Sequence, residues 1–254
     1  MLGVLLAAVL EAQRIISLAP SLTEDLFAIG AGARVIAVDR YSARLPQARR
    51  LPQVGSMLDA TPERILSLRP DLVVGVPLEA TTLTALERAG VRSEILSSDT
   101  LAQDFATLRR LGRLTGTEPR AAALVRRLGM ELQRLERAAA QRRRLRVFVV
   151  VATAPIYTAG RGSFVDELLR LANLENTAAS PLPWTPYSAE RLAGAHPDIL
   201  IVSKDAQIDP RSAPWNLLQA VRAGRVVHLQ DDLVPGPHVA ALLEHLLRAL
   251  DEWR

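Results

Sequence analysis

Three aromatic residues sit where a packed core has little use for them. Tyr41, Tyr157 and Trp184 fall in stretches punctuated by proline and glycine, between segments with strand or helix periodicity. Their rings bring a large apolar face and a hydrogen-bonding tip. In loops of this kind such rings read as the lining of a ligand site. Phe27, Phe105 and Phe148 lie on apolar faces of predicted elements and read as core, and Tyr187 and Trp215 are assigned there too.

The residue types that carry catalysis do not assemble. Ser163, in Gly160-Arg161-Gly162-Ser163, reads as a simple helix cap and not as a nucleophile elbow. No phosphate-binding loop or dinucleotide fingerprint occurs. The histidines, His196, His228, His238 and His245, have no spacing that gathers them on one face for a metal. With no cysteine, disulfides, thiolate metal sites and thiol nucleophiles are excluded. Two acids remain, Glu63 and Glu190, each in the first turn of a predicted helix. Negative charge there is worth about 0.3–1 kcal/mol through the helix dipole alone.

The elements that must position these residues alternate. Ile15–Ser17, Val35–Val38, Leu72–Val76 and Ser93–Leu96 read as strands, with helices opening at Ser21, Thr61, Thr81 and Leu101. The Ser21-to-Glu24 pattern is that of a capping box. A long helix follows from Glu118 to Arg143, with Ala121, Leu124, Val125, Leu128, Leu132, Leu135 and Ala139 at helical spacing. The plan then restarts, with strands over 146–151, 199–202 and 226–229, and helices after Ser163, Ser188, Trp215 and Val239. The stretches 154–162 and 181–187 read as loops. Strands alternating with helices imply parallel sheets with helices on their faces.

A repeat underlies this symmetry. Thr61-Pro62-Glu63-Arg64-Ile65 through Pro70-Asp71-Leu72-Val73-Val74 returns 127 positions later as Ser188-Ala189-Glu190-Arg191-Leu192 through Pro197-Asp198-Ile199-Leu200-Ile201. Generic helix–strand grammar explains each copy, but not the identical spacing in both. The expected organisation is a segment 1–13, an α/β lobe over 14–116, a connecting helix over 117–144 and a second α/β lobe over 145–254. Clefts at the ends of parallel strands are the default ligand sites of such folds.

Composition narrows the class. The net charge is +4, and Lys204 is the only lysine. The arginines are interspersed with acids and form no basic stripe with aromatics, so nucleic acid is not an expected partner. The apolar run Leu2–Leu10 is too short to span a bilayer and reads as a shortened secretory signal with cleavage near Ala12.

At Arg14-Ile15-Ile16-Ser17-Leu18-Ala19-Pro20-Ser21-Leu22-Thr23-Glu24, at Gly162-Ser163-Phe164-Val165-Asp166-Glu167-Leu168-Leu169 and in both repeat blocks, the chain resembles the periplasmic substrate-binding proteins of ABC importers with a helical backbone. These take up cobalamin, haem and iron–siderophores. The resemblance covers nearly everything after Arg14 and implies two Rossmann-like lobes with central parallel sheets. One long rigid helix would join them, with a ligand cleft between and little lobe closure. The chain looks most like the cobalamin-binding branch. The aromatics that surround the corrin there correspond to Tyr41, Tyr157 and Trp184. A loop position often held by Trp corresponds to Met57, and a late-loop Arg is replaced by the stretch containing Asp232. In haem-binding relatives a Tyr beside the loop proline commonly ligates iron; here Leu45 precedes Pro46. The resemblance also gives Glu63 and Glu190 the role of docking on arginines of a dimeric membrane permease. It implies a monomeric, periplasmic or exported protein without cofactor or catalysis, whose ligand is cobalamin or a related corrinoid. An iron–siderophore or haem is the alternative, and an α/β enzyme the remaining reading.

Overall fold

The structure is a computed structural model in which residues 11–55, 61–77, 80–178, 180–229 and 233–253 are described. The run Leu2–Leu10 lies outside them. Ala12 is buried, its amide donating to the Leu114 carbonyl at 2.9 Å. The chain divides into two compact units. One holds the residues up to Ser98 together with Ala102–Arg127; the other holds Asp99–Leu101 and the chain from Leu128 onward.

The first unit is built on a parallel sheet of β1 (Ile15–Ser17), β2 (Val35–Val38), β3 (Leu72–Gly75) and β4 (Ser93–Ile95), in the order β2-β1-β3-β4. β1 and β3 are buried throughout, which is why they read as unbroken apolar runs. Helices α1 (Pro20–Ala28), α2 (Pro62–Ser67), α3 (Ala80–Arg88) and α4 (Leu101–Thr115) belong to this half of the chain. Ile16, Ile65, Val73, Leu83 and Leu86 form its core.

Helix α5 spans Glu118–Ala139, and the division between the units falls within it. Its apolar stripe is buried from Ala121 to Ala139. The helix stops at Ala139, short of Arg143, where that stripe ends. The chain closes there in a tight turn, the Arg142 amide donating to the Ala139 carbonyl at 2.9 Å.

The second unit holds β5 (Leu145–Val150), β8 (Leu174–Asn176), β10 (Ile199–Val202) and β11 (Val226–His228) in a parallel sheet ordered β11-β10-β5-β8. Read from β8, this is the path of the first sheet: second strand, first, third, fourth. Helices α6 (Phe164–Leu171), α7 (Ala189–Ala195), α8 (Gln219–Arg222) and α9 (Val239–Ala249) accompany it. The helix expected from Trp215 is a 3-10 turn at Trp215–Leu217 followed by the short α8.

The stretches expected as loops differ most from expectation. β6 (Ala152–Thr153), β7 (Ile156–Ala159) and β9 (Trp184–Pro186) form a separate antiparallel sheet in the order β6-β7-β9. These strands have two to four residues and contain or adjoin Pro155 and Pro186. They show no period of their own, and β9 is held by a partner more than twenty residues away in sequence.

The repeat proves to be a device for starting the central strands. Asp71 accepts the main-chain amides of Gln13 and Arg14 at 2.8 and 3.0 Å, at the entry to β1. Asp198 accepts the Arg146 amide at 2.9 Å, at the entry to β5. The same arginines turn back to the helices. Arg14 donates to the carbonyls of Leu68 and Arg69, at 2.7 and 3.0 Å, and Arg146 to that of Ala195 at 2.7 Å. These carbonyls end α2 and α7, where intrahelical donors run out. Arg69 and His196, each just before the conserved-in-both-copies Pro-Asp pair, take the left-handed conformation with φ of 48° and 45°. His196 is therefore a helix-terminating residue. Two expected caps are absent: α1 opens at Pro20 with Ala19 as its N-cap, so Ser21 lies inside the helix and does not cap it, and Thr61, the N-cap of α2, makes no side-chain cap bond. In α1 the Thr23 hydroxyl serves another purpose, described below.

Candidate ligand-binding surfaces

Tyr41 stands just beyond the end of β2 and is 41% exposed. The loop that carries it is held from below. Asp39 is buried, and its carboxylate accepts the amides of Tyr41 and Ser42 at 2.9 and 3.1 Å, together with the Ser42 hydroxyl. This is the side-chain-to-backbone turn that aspartate makes two residues ahead of itself. Burial pushes the Asp39 carboxyl above its ordinary range, against the opposing pull of these bonds. Thr23 Oγ1 lies 2.9 Å from Ser42 Oγ and 2.8 Å from Ser17 Oγ, and donates to the Ala19 carbonyl at 3.0 Å. The polar residues of the Arg14-to-Glu24 motif are thus the buried footing of the Tyr41 loop. The Arg44 guanidinium lies 5.5 Å from the Tyr41 ring centroid.

Tyr157 and Trp184 come together on the small antiparallel sheet. Tyr157 is opposite Pro186, and Ala159 is opposite Trp184. Directly opposed residues share a face, and so do residues two apart. Tyr157 and Trp184 are therefore diagonal neighbours on one face, both half-buried. The other face carries Ile156, Thr158 and Thr185, which are buried. Thr158 Oγ1 donates to the Val149 carbonyl of β5 at 2.7 Å, tying this sheet to the main one.

Two brackets keep β9 beside β7. Gly160 donates its amide to the Pro183 carbonyl, and Arg161 donates to that of Ser180, both at 2.9 Å. A Cβ on Gly160 would stand 2.1 Å from the Leu182 carbonyl oxygen, so only glycine fits. The second bracket is the Gly162-to-Leu169 motif. Ser163 caps α6, its Oγ accepting the Asp166 amide at 3.1 Å and donating to the Gly160 carbonyl at 2.8 Å. Asp166 accepts the Gly162 amide, and Asn176 links Asp166 to the Ala159 carbonyl at 3.2 and 2.9 Å. Ser163 is thus committed to structure.

The core assignments divide. Phe148 is fully buried, with its ring centroid 5.0 Å from that of buried Tyr187, and Trp215 packs in the same cluster. Phe27 and Phe105 are only half-buried, a departure from the core expected of them. Met57 and Asp232 lie outside the described residues. Glu63 and Glu190 are both exposed, at equivalent places in the first turns of α2 and α7. Hydrogen bonds from its own backbone and from Ser188 hold the Glu190 carboxyl below its ordinary value. Among the described residues no three His, Asp or Glu side chains gather to hold a metal, and no helix is long and apolar enough to cross a membrane.

The residues missed at the level of sequence are the supports: Asp39 with Ser17, Thr23 and Ser42, then Gly160, then Asn176 with Asp166. Asp39 alone left a local signal, an aspartate two residues before an aromatic in a loop.

Two α/β units with equivalent parallel sheets define a two-lobed α/β architecture. Comparison with known proteins agrees. The chain belongs to the periplasmic binding protein family, whose profile matches residues 15–233. It is 32% identical over 197 residues to a vitamin B12-binding protein of Pectobacterium carotovorum, covering 75% of this chain and 71% of that one. The fold superposes on the periplasmic vitamin B12 binding protein BtuF of Vibrio cholerae with a TM-score of 0.82 and 27% identity, over 95% of this chain and 97% of that one. The heme-binding protein RhuT from Roseiflexus sp. RS-1 gives a TM-score of 0.83 and 27% identity, over 95% and 98%. Membership makes this an ABC-importer substrate-binding protein of the periplasmic, exported type.

Proposed function

We propose that this protein captures a corrinoid, cobalamin or a close relative, and hands it to the permease of an ABC importer without chemical change. The observation that carries this reading is the pairing of Tyr157 and Trp184 on one face of the β6-β7-β9 sheet. Two half-buried aromatic rings side by side suit a broad, flat macrocycle, whose faces and edges they meet by dispersion and quadrupole contacts. Tyr41, on a loop held by Asp39, is a further candidate ring. Met57 and Asp232, which lie outside the described residues, are further candidates from the resemblance alone. The vitamin B12-binding relatives support the reading.

Glu63 and Glu190 serve as the docking carboxylates in this proposal, one per lobe. Repeat-related acids suit a two-fold symmetric permease that offers arginine to each.

Titration with cyanocobalamin tests the ligand, followed by tryptophan fluorescence and calorimetric heat. The expected result is saturable one-to-one binding, weakened at least tenfold in Trp184→Ala. Absence of heat and quenching at micromolar protein would remove cobalamin; cobinamide, haem and ferric siderophores would then be titrated in that order. The heme-binding relative with a matching fold favours haem as the second reading.

A further inference from the structure

Apart from the sheet that carries Tyr157 and Trp184, the second unit holds an open pocket of about 410 Å³ at the ends of β10 and β11. Val202 of β10 is in register with His228 of β11, so the residues leaving the two strands face the same space. Ser203, Lys204, Gln207 and His228 line it, with Ile208 and Leu229 as apolar wall. Ser203 is a fixed part of the frame. Its amide donates to the Val150 carbonyl at 2.9 Å and its hydroxyl to the Val151 carbonyl at 3.1 Å. The exposed residues Lys204, Gln207 and His228 bring an ammonium, a carboxamide and an imidazole to its lining. Among the described residues, no carboxylate lines it.

Lys204 is the only lysine in a chain whose other cations are arginines. An ammonium on a flexible stem is a compact point charge that follows a single anionic oxygen, where arginine prefers a fixed planar fork. A charge-assisted bond of this kind is about twice as strong as a neutral one. The frame of the pocket is also tied to the strand that carries Tyr157. Ser203 Oγ bonds the Val151 carbonyl, and the Val151 amide donates to the Tyr157 carbonyl at 2.8 Å. Two hydrogen bonds therefore separate the pocket frame from Tyr157.

We infer that this pocket is an acid-recognising subsite, in which Lys204, Gln207 and His228 receive an anionic oxygen group of the ligand whose ring system lies on Tyr157 and Trp184. On the corrinoid reading, on which this inference rests, that group is the phosphodiester of the nucleotide arm. The subsite would then distinguish complete corrinoids from those lacking that arm.

The test compares cyanocobalamin, which carries the phosphodiester, with dicyanocobinamide, which lacks it, on the wild type, Lys204→Met and Lys204→Arg. The wild type is expected to bind cyanocobalamin at least tenfold more tightly. Lys204→Met should bring the ratio close to one by weakening cyanocobalamin alone, and Lys204→Arg should keep part of the preference. Equal binding of both by the wild type, or a Lys204→Met effect that is nil or the same for both, would overturn the subsite and leave the corrinoid reading standing. If neither corrinoid binds, the corrinoid reading falls and inorganic phosphate decides. A saturable shift of the His228 ring resonances that is lost in Lys204→Met supports the anion pocket; no shift overturns it. Thermal melts of the variants guard against misfolding.

Discussion

The carboxylate of Asp39 accepts the main-chain amide of Tyr41 at 2.9 Å, so the most exposed of the candidate rings is aimed by one of the most buried acids. The two residues act on different quantities. Tyr41→Ala should weaken ligand binding by roughly five- to thirtyfold, the range of about 1–2 kcal/mol for an aromatic contact. It should leave the melting temperature unchanged. Asp39→Ala strands two amides and a hydroxyl and should cost about 1–3 kcal/mol of stability as well as affinity. Calorimetry and denaturant titration on both variants would separate aiming from contact. Equal stability losses would refute the distinction.

Gly160→Ala tests the bracket on β9. The added methyl would meet the Leu182 carbonyl at 2.1 Å, so the 180–183 segment must move and carry Trp184 with it. Overpacking of this kind costs about 1–3 kcal/mol. The expected signature is a shift in tryptophan emission together with weaker ligand binding, while Gly129→Ala, on α5 with open space around its Cβ, should leave the Trp184 emission unmoved.

The repeat makes a paired prediction. At the entry of a first strand, Asp71→Ala releases two main-chain amides and Asp198→Ala releases one. Each should destabilise by about 1–2 kcal/mol, as for hydrogen bonds to charged groups that remain partly solvated. Urea unfolding of the two variants would measure it. A loss confined to one copy would show that the duplication of sequence is not a duplication of physics.

Asp25 gives the pH prediction. It is fully buried on α1, and neither carboxylate oxygen has a hydrogen-bond partner among the described residues. Desolvation first, then the nearby Asp104 and Glu24, hold its carboxyl well above the ordinary range. For an acid raised in the folded state, the stabilising contribution is complete below the unfolded pKa, near 3.9 on the reference scale, and is lost as pH rises through the folded value. Asp25→Leu should therefore stabilise at neutral pH, on the order of 2 kcal/mol, and the gain should shrink toward pH 4. Melting curves across pH 4–8 check it; a gain independent of pH would point to packing alone.

Charge reversal at the repeat-related acids tests docking. Glu63→Arg and Glu190→Arg alter exposed first-turn residues, so stability should stay within about 0.5 kcal/mol of the wild type. Stimulation of the permease ATPase in proteoliposomes should fall for each and be lost in the double variant. Unchanged stimulation would remove these acids from the interface while leaving ligand binding untouched.

Much of this organisation is legible in the chain itself. β1, β3, β5 and β10 are buried on both faces, so their apolar runs announce parallel strands, and the copied Glu-Arg to Pro-Asp spacing announces two equivalent units. The seven apolar positions of α5 reveal that helix by period alone. Tyr41, Tyr157 and Trp184 also stood out, because rings among prolines and glycines have no helix or strand face to join. What the chain could not disclose was their relation. Trp184 neighbours Tyr157 only because β9 pairs with β7 across more than twenty residues, and strands of three or four residues carry too few positions to show a period. Thr23 looked like part of a capping box, yet its hydroxyl lies among Ser17, Ala19 and Ser42. Short-range pattern determines which elements form, since propensity and periodicity act within a few residues. The pairing of distant backbone amides and carbonyls, decided only when the chain closes on itself, determines which side chains meet.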